Sequence, residues 1–355
     1  MLSKTEIGEI REHLEKAQNP IFYYDNDADG LCAFLLFRRF LGRGYGVAIR
    51  SYPEMNAEYL KKVEQLKADY IFVLDKPLVS KEFIEEADKM QIPIVWIDHH
   101  DMDAGELKKK FSEFKNFYMY NSALSKKKKE GQNAPTSYLA YKITERKEDI
   151  WIALMGCIAD HYLPDFAEEF GERYPDFWTK EICGPFDVYY RTEIGRIAVG
   201  LNFGLKDSIS HVVELQNFLV SCKTPGDVFL ELETNKSFRL KYAEIRKKYD
   251  SLLKGAEISE SQKLVYLIYG GDMSMSSDLS NELSYLYPDK YVLVAYKKGA
   301  ITNISMRGDK INKKLDKILK QLEHATGGGH EGAVGARIET KDLEKFKELL
   351  EGEIG

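Results

Sequence analysis

Residues 21–41 read IFYYDNDADGLCAFLLFRRFL. Ile21 to Tyr24 form a short run of β-branched and aromatic residues ending at Asp25, apolar on both faces as a strand of a covered parallel sheet is. After Gly30 the segment LCAFLLFRRFL is apolar almost all round, the pattern of a helix packed hard on that sheet. A strand, an acidic turn and a crossover helix thus follow one another, the opening of a βαβ unit. The pattern recurs at Tyr70 to Leu74, ending at Asp75, and at Ile92 to Ile97, ending at Asp98. The fold class expected is α/β, with an N-terminal parallel sheet.

Further along, Thr136 to Leu219 carries helical periodicity, including WIALMGCIADHYL, and KSFRLKYAEIRKKYDSLL (236–253) reads as a charged bridging helix. A second, smaller α/β unit follows. Its expected elements are a strand at Leu264 to Tyr269, a helix at Asp278 to Leu286 with a capped start near Ser277 or Asp278, and strands at Tyr291 to Tyr296 and Ala300 to Met306. A basic helix at Lys310 to Leu322, a glycine loop at Gly327 to His330, a strand at Ala333 to Ile338 and a helix at Asp342 to Leu350 complete it.

A length of 355 residues suits two domains at about 150 residues each, and 44% apolar with 30% charged residues excludes disorder. The net charge of −6 provides no global basic field, so a polyanion would have to meet a local patch. Cys32, Cys157, Cys183 and Cys222 lie far apart without a CxxC pair, which argues against a thiolate zinc site or a disulfide framework. No run approaches the roughly 20 apolar residues of a membrane span, and the charged, helix-like N-terminus is unlike a signal segment. The expectation is a cytoplasmic protein with no membrane partner.

Asp25, Asp27 and Asp29 at the end of the first predicted strand would repel one another unless solvated or bound to cations. Asp75 and the triplet Asp98-His99-His100 end two other strands, and in an open parallel sheet such ends line one crevice. Asp160, in GCIAD, adds a carboxylate from a helix. Taken singly, DNDADG also fits a plain Asp-rich turn, Asp75 a solvated strand end, and the histidines packed imidazoles. As an ordered set they suit two Mn²⁺ or Mg²⁺ ions about 3.5–4 Å apart with a nucleophilic water between them, the apparatus of phosphoester hydrolysis.

DNDADG, VLDKP, IDHHD and GCIAD resemble the four ordered motifs of the DHH phosphoesterase superfamily, and ISMRG with ATGGGHEGAVGARI resembles its DHH-associated C-terminal domain. The resemblance spans Asp25 to Arg337 and is nearest to the archaeal-type RecJ-like single-strand exonucleases. It implies a DHH catalytic domain over residues 1–225, a linker helix over 226–257 and a substrate-binding domain over 258–355, with an interdomain cleft. It also implies two divalent cofactor ions, manganese ahead of magnesium. Asp27 would bind the first with Asp25 as an added ligand, Asp29 the second, and Asp75 both, while His99 and Asp160 complete the second site. His100 would face the scissile phosphate, and Asp98 would orient the histidines. The chain departs from the pattern at Tyr23, where many superfamily members carry a histidine four residues before the aspartate matching Asp27.

In the companion domain, Gly327, Gly328 and Gly329 would form a backbone nest for phosphate, with Arg307 and His330 as side-chain donors. A plain flexible loop is the alternative. Lys126 to Lys129 reads as a solvated run, and Lys310, Lys313, Lys314, Lys317 and Lys320 as either a basic stripe or a solvated helix face. Phe117, Tyr118, Tyr120, Tyr189 and Tyr190 would stack on bases or pack in the core. The function expected is a two-metal phosphodiesterase, an exonuclease on single-stranded DNA or RNA. Its alternatives are an oligoribonuclease or small-nucleotide phosphoesterase, and a non-catalytic scaffold of a replication or repair complex. A helicase or other replication or repair partner, and an oligomeric state, are both compatible with it.

Overall fold

The computed structural model describes residues 1–51, 53–124 and 133–355. The Lys126–Lys129 run lies outside the described residues. The chain forms two compact units, Met1–Tyr242 and Ala243–Gly355. The division falls within one helix, Lys236–Lys254.

The first unit is built on a parallel sheet of β1 (Pro20–Asp25), β2 (Tyr45–Ile49), β3 (Tyr70–Leu74), β4 (Ile94–Asp98) and β5 (Phe117–Asn121), in the order β2-β1-β3-β4-β5. Side chains alternate across it. Ile21, Tyr23, Val73 and Trp96 enter one core with Phe83 and Ile84. On the other face Phe22 stacks on Phe72 at 4.9 Å between ring centroids and on Phe37 at 6.2 Å. Both faces are therefore covered, which is why the strand sequences show no polar alternation.

The crossover helix Ala28–Leu41 is buried from Ala28 to Phe37 and packs against Thr136–Thr144 and Ile150–Ala159. Ile150–Ala159 is buried at every position from Ile150 to Ile158, as its all-round apolar sequence requires. Gly156 allows this triple packing. A Cβ there would lie 2.5 Å from the Ser137 Cβ and 2.9 Å from the Cys32 Cβ.

The strand order sets where a ligand goes. From β1 the chain steps to β2 on one side, then returns to β3 on the other, so the connections diverge at the carboxyl ends of β1 and β3 and leave a crevice there. Asp25 ends β1, and Asp75 directly follows β3.

The second unit has a mixed sheet of β6 (Glu257–Ile258), β7 (Leu264–Gly270), β8 (Tyr291–Lys298), β9 (Ile301–Arg307), β10 (Thr326–His330) and β11 (Ala333–Glu339), in the order β10-β11-β9-β8-β7-β6. Only β7 and β8 run parallel. The expected elements are present, with two differences. The glycine segment is a strand, not a loop, because β11 pairs with it from Thr326 opposite Arg337 to His330 opposite Ala333. A Cβ at Gly327 would meet the Gly335 carbonyl oxygen at 2.7 Å, so glycine here admits the close partner strand. The helix after β7 is Ser276–Leu286, and its start has no side-chain cap.

The lysine-rich helix Ile311–Leu319 buries Ile311, Leu315 and Ile318. Lys314 Nζ donates to the Glu353 carbonyl at 2.7 Å, and Lys317 pairs with the Glu353 carboxylate at 2.7 Å. These two lysines fasten the C-terminal helix. Among the aromatic candidates, Tyr120 and Tyr189 are buried and pack in the first unit.

Gly156→Ala should lower unfolding free energy by about 1–3 kcal/mol through overpacking. Gly352→Ala, in the exposed last helix with nothing within 4 Å of the new Cβ, should leave it unchanged or raise it by up to about 1 kcal/mol. Urea unfolding of the two variants checks the contrast.

Candidate metal centre

Each acidic group owes its position to the end of an element. The Asp27 carboxylate caps the Ala28–Leu41 helix, accepting from Gly30 N at 2.9 Å, and Asp27 N donates to the Asp25 carbonyl at 2.8 Å. Gly30 is required at this turn, since a Cβ would stand 2.6 Å from the Asp25 carbonyl oxygen. Asp75 is buried with a φ of +59°, a left-handed conformation for a non-glycine residue. Its N–H still donates to the Ile97 carbonyl at 3.0 Å, so the left-handed turn occurs while the strand ladder is kept. Asp98 ends β4 with His99 and His100 directly after it, and Asp160 caps the carboxyl end of Ile150–Ala159.

These ends converge. His99 Nε2 lies 3.1 Å from Asp75 Oδ1 and 3.7 Å from Asp160 Oδ2. His100 Nδ1 is 2.8 Å from Asp98 Oδ1 and 3.9 Å from Asp75 Oδ1. Asp75, His99 and His100 each offer a ligand atom within 4.8 Å of the others. Asp98, fully buried, also accepts from His100 N at 3.2 Å and Asn121 Nδ2 at 3.3 Å.

The charges are poorly compensated. Desolvation first, then the Asp25 and Asp29 charges, pushes the Asp27 carboxyl up to about 7. Asp160 still touches solvent, at 41% side-chain exposure, but is hemmed in by protein; desolvation and the charges of Asp29 and Asp27 push it to about 8. Desolvation, Asp29 and Asp27 hold Asp75 well above the ordinary range. Burial keeps the His99 imidazole below its usual value, favouring the neutral form a metal ligand needs. For His100 burial acts downward, but the Asp98 hydrogen bond and the surrounding carboxylates outweigh it and raise the group to about 9. A concave cluster of raised carboxylates with a neutral imidazole fits a hard or borderline divalent cation by donor chemistry.

Five contributors, Thr136, Ser137, Asn202, Asn121 and Lys76, are not among the site candidates read from the sequence. The Asp29 carboxylate accepts from Thr136 N at 2.8 Å and Ser137 N at 3.0 Å, and from the Ser137 hydroxyl, so it caps the Thr136–Thr144 helix. Asn202 Oδ1 accepts from Ala28 N at 2.9 Å, while its Nδ2 donates to the Tyr189 hydroxyl at 2.9 Å. Asn121 steadies Asp98 and donates to the His100 carbonyl at 3.0 Å. Lys76 Nζ donates to Asp25 Oδ1 at 3.0 Å. Partners this distant in sequence become neighbours only through the tertiary fold; in VLDKP, a lysine beside a strand-end aspartate is the one visible sign.

The second unit holds the remaining candidates by itself. Arg307 lies opposite Ala333, and Ala333 opposite His330, so the arginine and histidine share one sheet face two strands apart. Arg307 donates through Nε to Asn281 Oδ1 at 2.7 Å, through Nη1 to the Met306 carbonyl at 2.8 Å and through Nη2 to Ser277 Oγ at 3.4 Å, which fixes the guanidinium. Ala333 stands between them, and Gly328 pairs with Gly335 in the next row of the same face, leaving bare backbone beside the two side chains. The glycines therefore present an edge strand in place of the expected loop nest.

Residues 21–163 match the DHH family, N-terminal domain, and residues 261–355 match the DHHA1 domain. The chain belongs to the DHH superfamily. Within it the fold is RecJ-like. The chain is similar to RecJ of Thermus thermophilus in complex with Mn²⁺, with a TM-score of 0.65 and 14% identity over 99% of this chain and 54% of that one. It is similar to exonuclease RecJ bound to manganese, with a TM-score of 0.60 and 14% identity over 99% and 93% of the two chains. The DHH domain of a member of the s1p family of ribosomal proteins gives a TM-score of 0.65 and 13% identity over 99% and 89%. This chain thus spans about half the length of the Thermus RecJ. No curated protein sequence matches it.

The raised carboxyls make the metal-free protein pH-sensitive in a defined sense. The folded chain keeps protons on Asp27 and Asp160 up to about pH 7 and 8, whereas unfolded aspartates release them near 3.8, so stability falls as pH rises across that window. The metal-free melting temperature should be higher near pH 5 than near pH 8, and added Mn²⁺ should raise it most at the upper end. A metal-free melting temperature that climbs over this range contradicts the assignment.

Proposed function

We propose that the chain is a metal-dependent phosphodiesterase acting as an exonuclease on single-stranded DNA or RNA. The observation that carries this reading is the convergence of Asp75, His99 and Asp160 at the strand ends, with His99 Nε2 at 3.1 Å and 3.7 Å from the two carboxylates. Asp27, Asp75, His99 and Asp160 would hold the cation, manganese ahead of magnesium. Bound there, a divalent ion supplies an ionised water at neutral pH and neutralises charge building on the phosphate.

The remaining roles belong to the chain. Asp98 holds His100 through Nδ1, which leaves Nε2 as the edge that meets a phosphate oxygen. The Asp98 carboxylate at Nδ1 favours the charged form of His100, which would face charge on the phosphate oxygens. Asp75 sits at the divergence of the strand connections, where a substrate approaching the crevice meets it. In the second unit Arg307 and His330, on one face with the bare Gly328 backbone, would grip a phosphate of a nucleic-acid strand. Replication or repair partners such as a helicase fit this reading.

Single-stranded oligonucleotides labelled at either end, incubated with Mn²⁺ or Mg²⁺, test the proposal. Stepwise loss of nucleotides from one end is expected. Asp75→Asn should abolish turnover, whereas Arg307→Ala should raise KM by about tenfold to a hundredfold with a smaller change in kcat, as loss of a charge-assisted phosphate bond does. Cleavage confined to the shortest oligonucleotides would assign the chain to the small-substrate phosphoesterases. No hydrolysis of any of these substrates would contradict the proposal.

A further inference from the structure

The carboxylates of the centre differ in how far the chain compensates them: Asp27 accepts from Gly30 N at 2.9 Å and Asp75 from Thr136 Oγ1 at 3.3 Å, while Asp25, Asp29 and Asp98 have an ion pair or several donors, and the difference bears on how many cations the site takes. Asp29 is satisfied by Thr136 N at 2.8 Å, Ser137 N at 3.0 Å and the Ser137 hydroxyl. Asp98 is satisfied by His100 and Asn121. Asp25 carries an ion pair with Lys76 Nζ at 3.0 Å.

Lys76 is only 4% exposed, and its ammonium has a second acceptor in the Ser51 carbonyl at 3.4 Å. Its backbone carbonyl accepts from the buried Trp96 Nε1 at 2.8 Å, which fixes the residue where it stands. A buried ammonium is tolerated because a carboxylate pairs with it, and a dication on Asp25 would stand beside that ammonium and share a carboxylate whose charge it already neutralises. Tyr23 offers no ligand to such an ion. Its ring packs against Phe83 and Tyr59 in the core, and its hydroxyl donates to the Tyr59 carbonyl at 2.6 Å.

Asp27, Asp75 and Asp160 have no Lys or Arg ion pair among the described residues, and His99 Nε2 stands between the last two. Three carboxylates and one imidazole make a complete protein ligand set for one ion.

We propose that this chain loads a single divalent cation, on Asp27, Asp75, His99 and Asp160, and that the Lys76 ammonium on Asp25 supplies the centre's second positive charge in place of a second ion. The proposal rests on the metal-dependent reading above and replaces the two ions implied by the motif resemblance. It makes Lys76 a positioning residue whose charge is built into the chain and cannot be removed by a chelator.

Metal content after Mn²⁺ loading and desalting of the full chain, together with calorimetric titration of the metal-free protein, reads the stoichiometry directly. One Mn²⁺ per chain is expected for the wild type. Lys76→Met, which frees Asp25, is expected to bind two, and Asp25→Asn is expected to keep one. A wild-type chain that binds two ions or none overturns the proposal, as does a folded Lys76→Met chain that still binds one. Should circular dichroism show Lys76→Met unfolded, Asp25→Asn decides: loss of its ion would make Asp25 a ligand and overturn the account. One ion bound without phosphodiester cleavage would refute the proposed function while leaving this stoichiometry standing, and cleavage with two ions bound would do the reverse.

Discussion

Repulsion among carboxylates gathered at the ends of β1, β3 and β4 is the constraint around which the first unit is arranged. The carboxyls of Asp27, Asp75 and Asp160 are raised, while Asp25, Asp29 and Asp98 are drawn off by partners the fold supplies. The Thr136–Thr144 helix turns its first N–H groups onto Asp29, where a helix amino end favours negative charge. Lys76 neutralises Asp25, and His100 with Asn121 takes up Asp98. The excess charge is left on Asp75 and Asp160, which face His99, and on the proposed reading a cation rather than a side chain would complete the balance.

The covered sheet makes this arrangement rigid. Its inner strands β1, β3 and β4 are buried on both faces, so their ends cannot drift apart without opening two cores. Gly30 brings the crossover helix tight against Asp25, and Gly156 brings Ile150–Ala159, with Asp160 at its end, tight against Ser137 and Cys32. The left-handed backbone at Asp75 is held in the same way, by the ladder bond to Ile97 before it and the buried Lys76 after it. Strain at one residue can persist because its neighbours on both sides are fixed.

Much of this is legible in the sequence because it is local. Apolar runs ending in aspartate mark strands whose ends share a crevice, and DNDADG, VLDKP, IDHHD and GCIAD each place a candidate within a few residues of an element boundary. What is not legible depends on approach between distant segments. Nothing around Asn202 announces that it caps a helix 174 positions earlier, nor does PTS at 135–137 announce a cradle for Asp29. The glycine run reads as a loop because composition records backbone freedom, while the strand forms through pairing with β11, which follows it in the chain. Tyr23 is visible in the sequence as a departure from the motif pattern. The compensating partner of Asp25 lies one residue beyond a recognised aspartate, and its direction emerges only in the tertiary structure.

The account stands on the claim that a divalent cation occupies the cluster of Asp75, His99 and Asp160. Anomalous diffraction at the manganese absorption edge, from crystals of the full chain grown with Mn²⁺, measures this directly. The account predicts a peak in contact with the Asp75 and Asp160 carboxylates and His99 Nε2. Full-occupancy manganese found elsewhere, with nothing at these three residues, would contradict it.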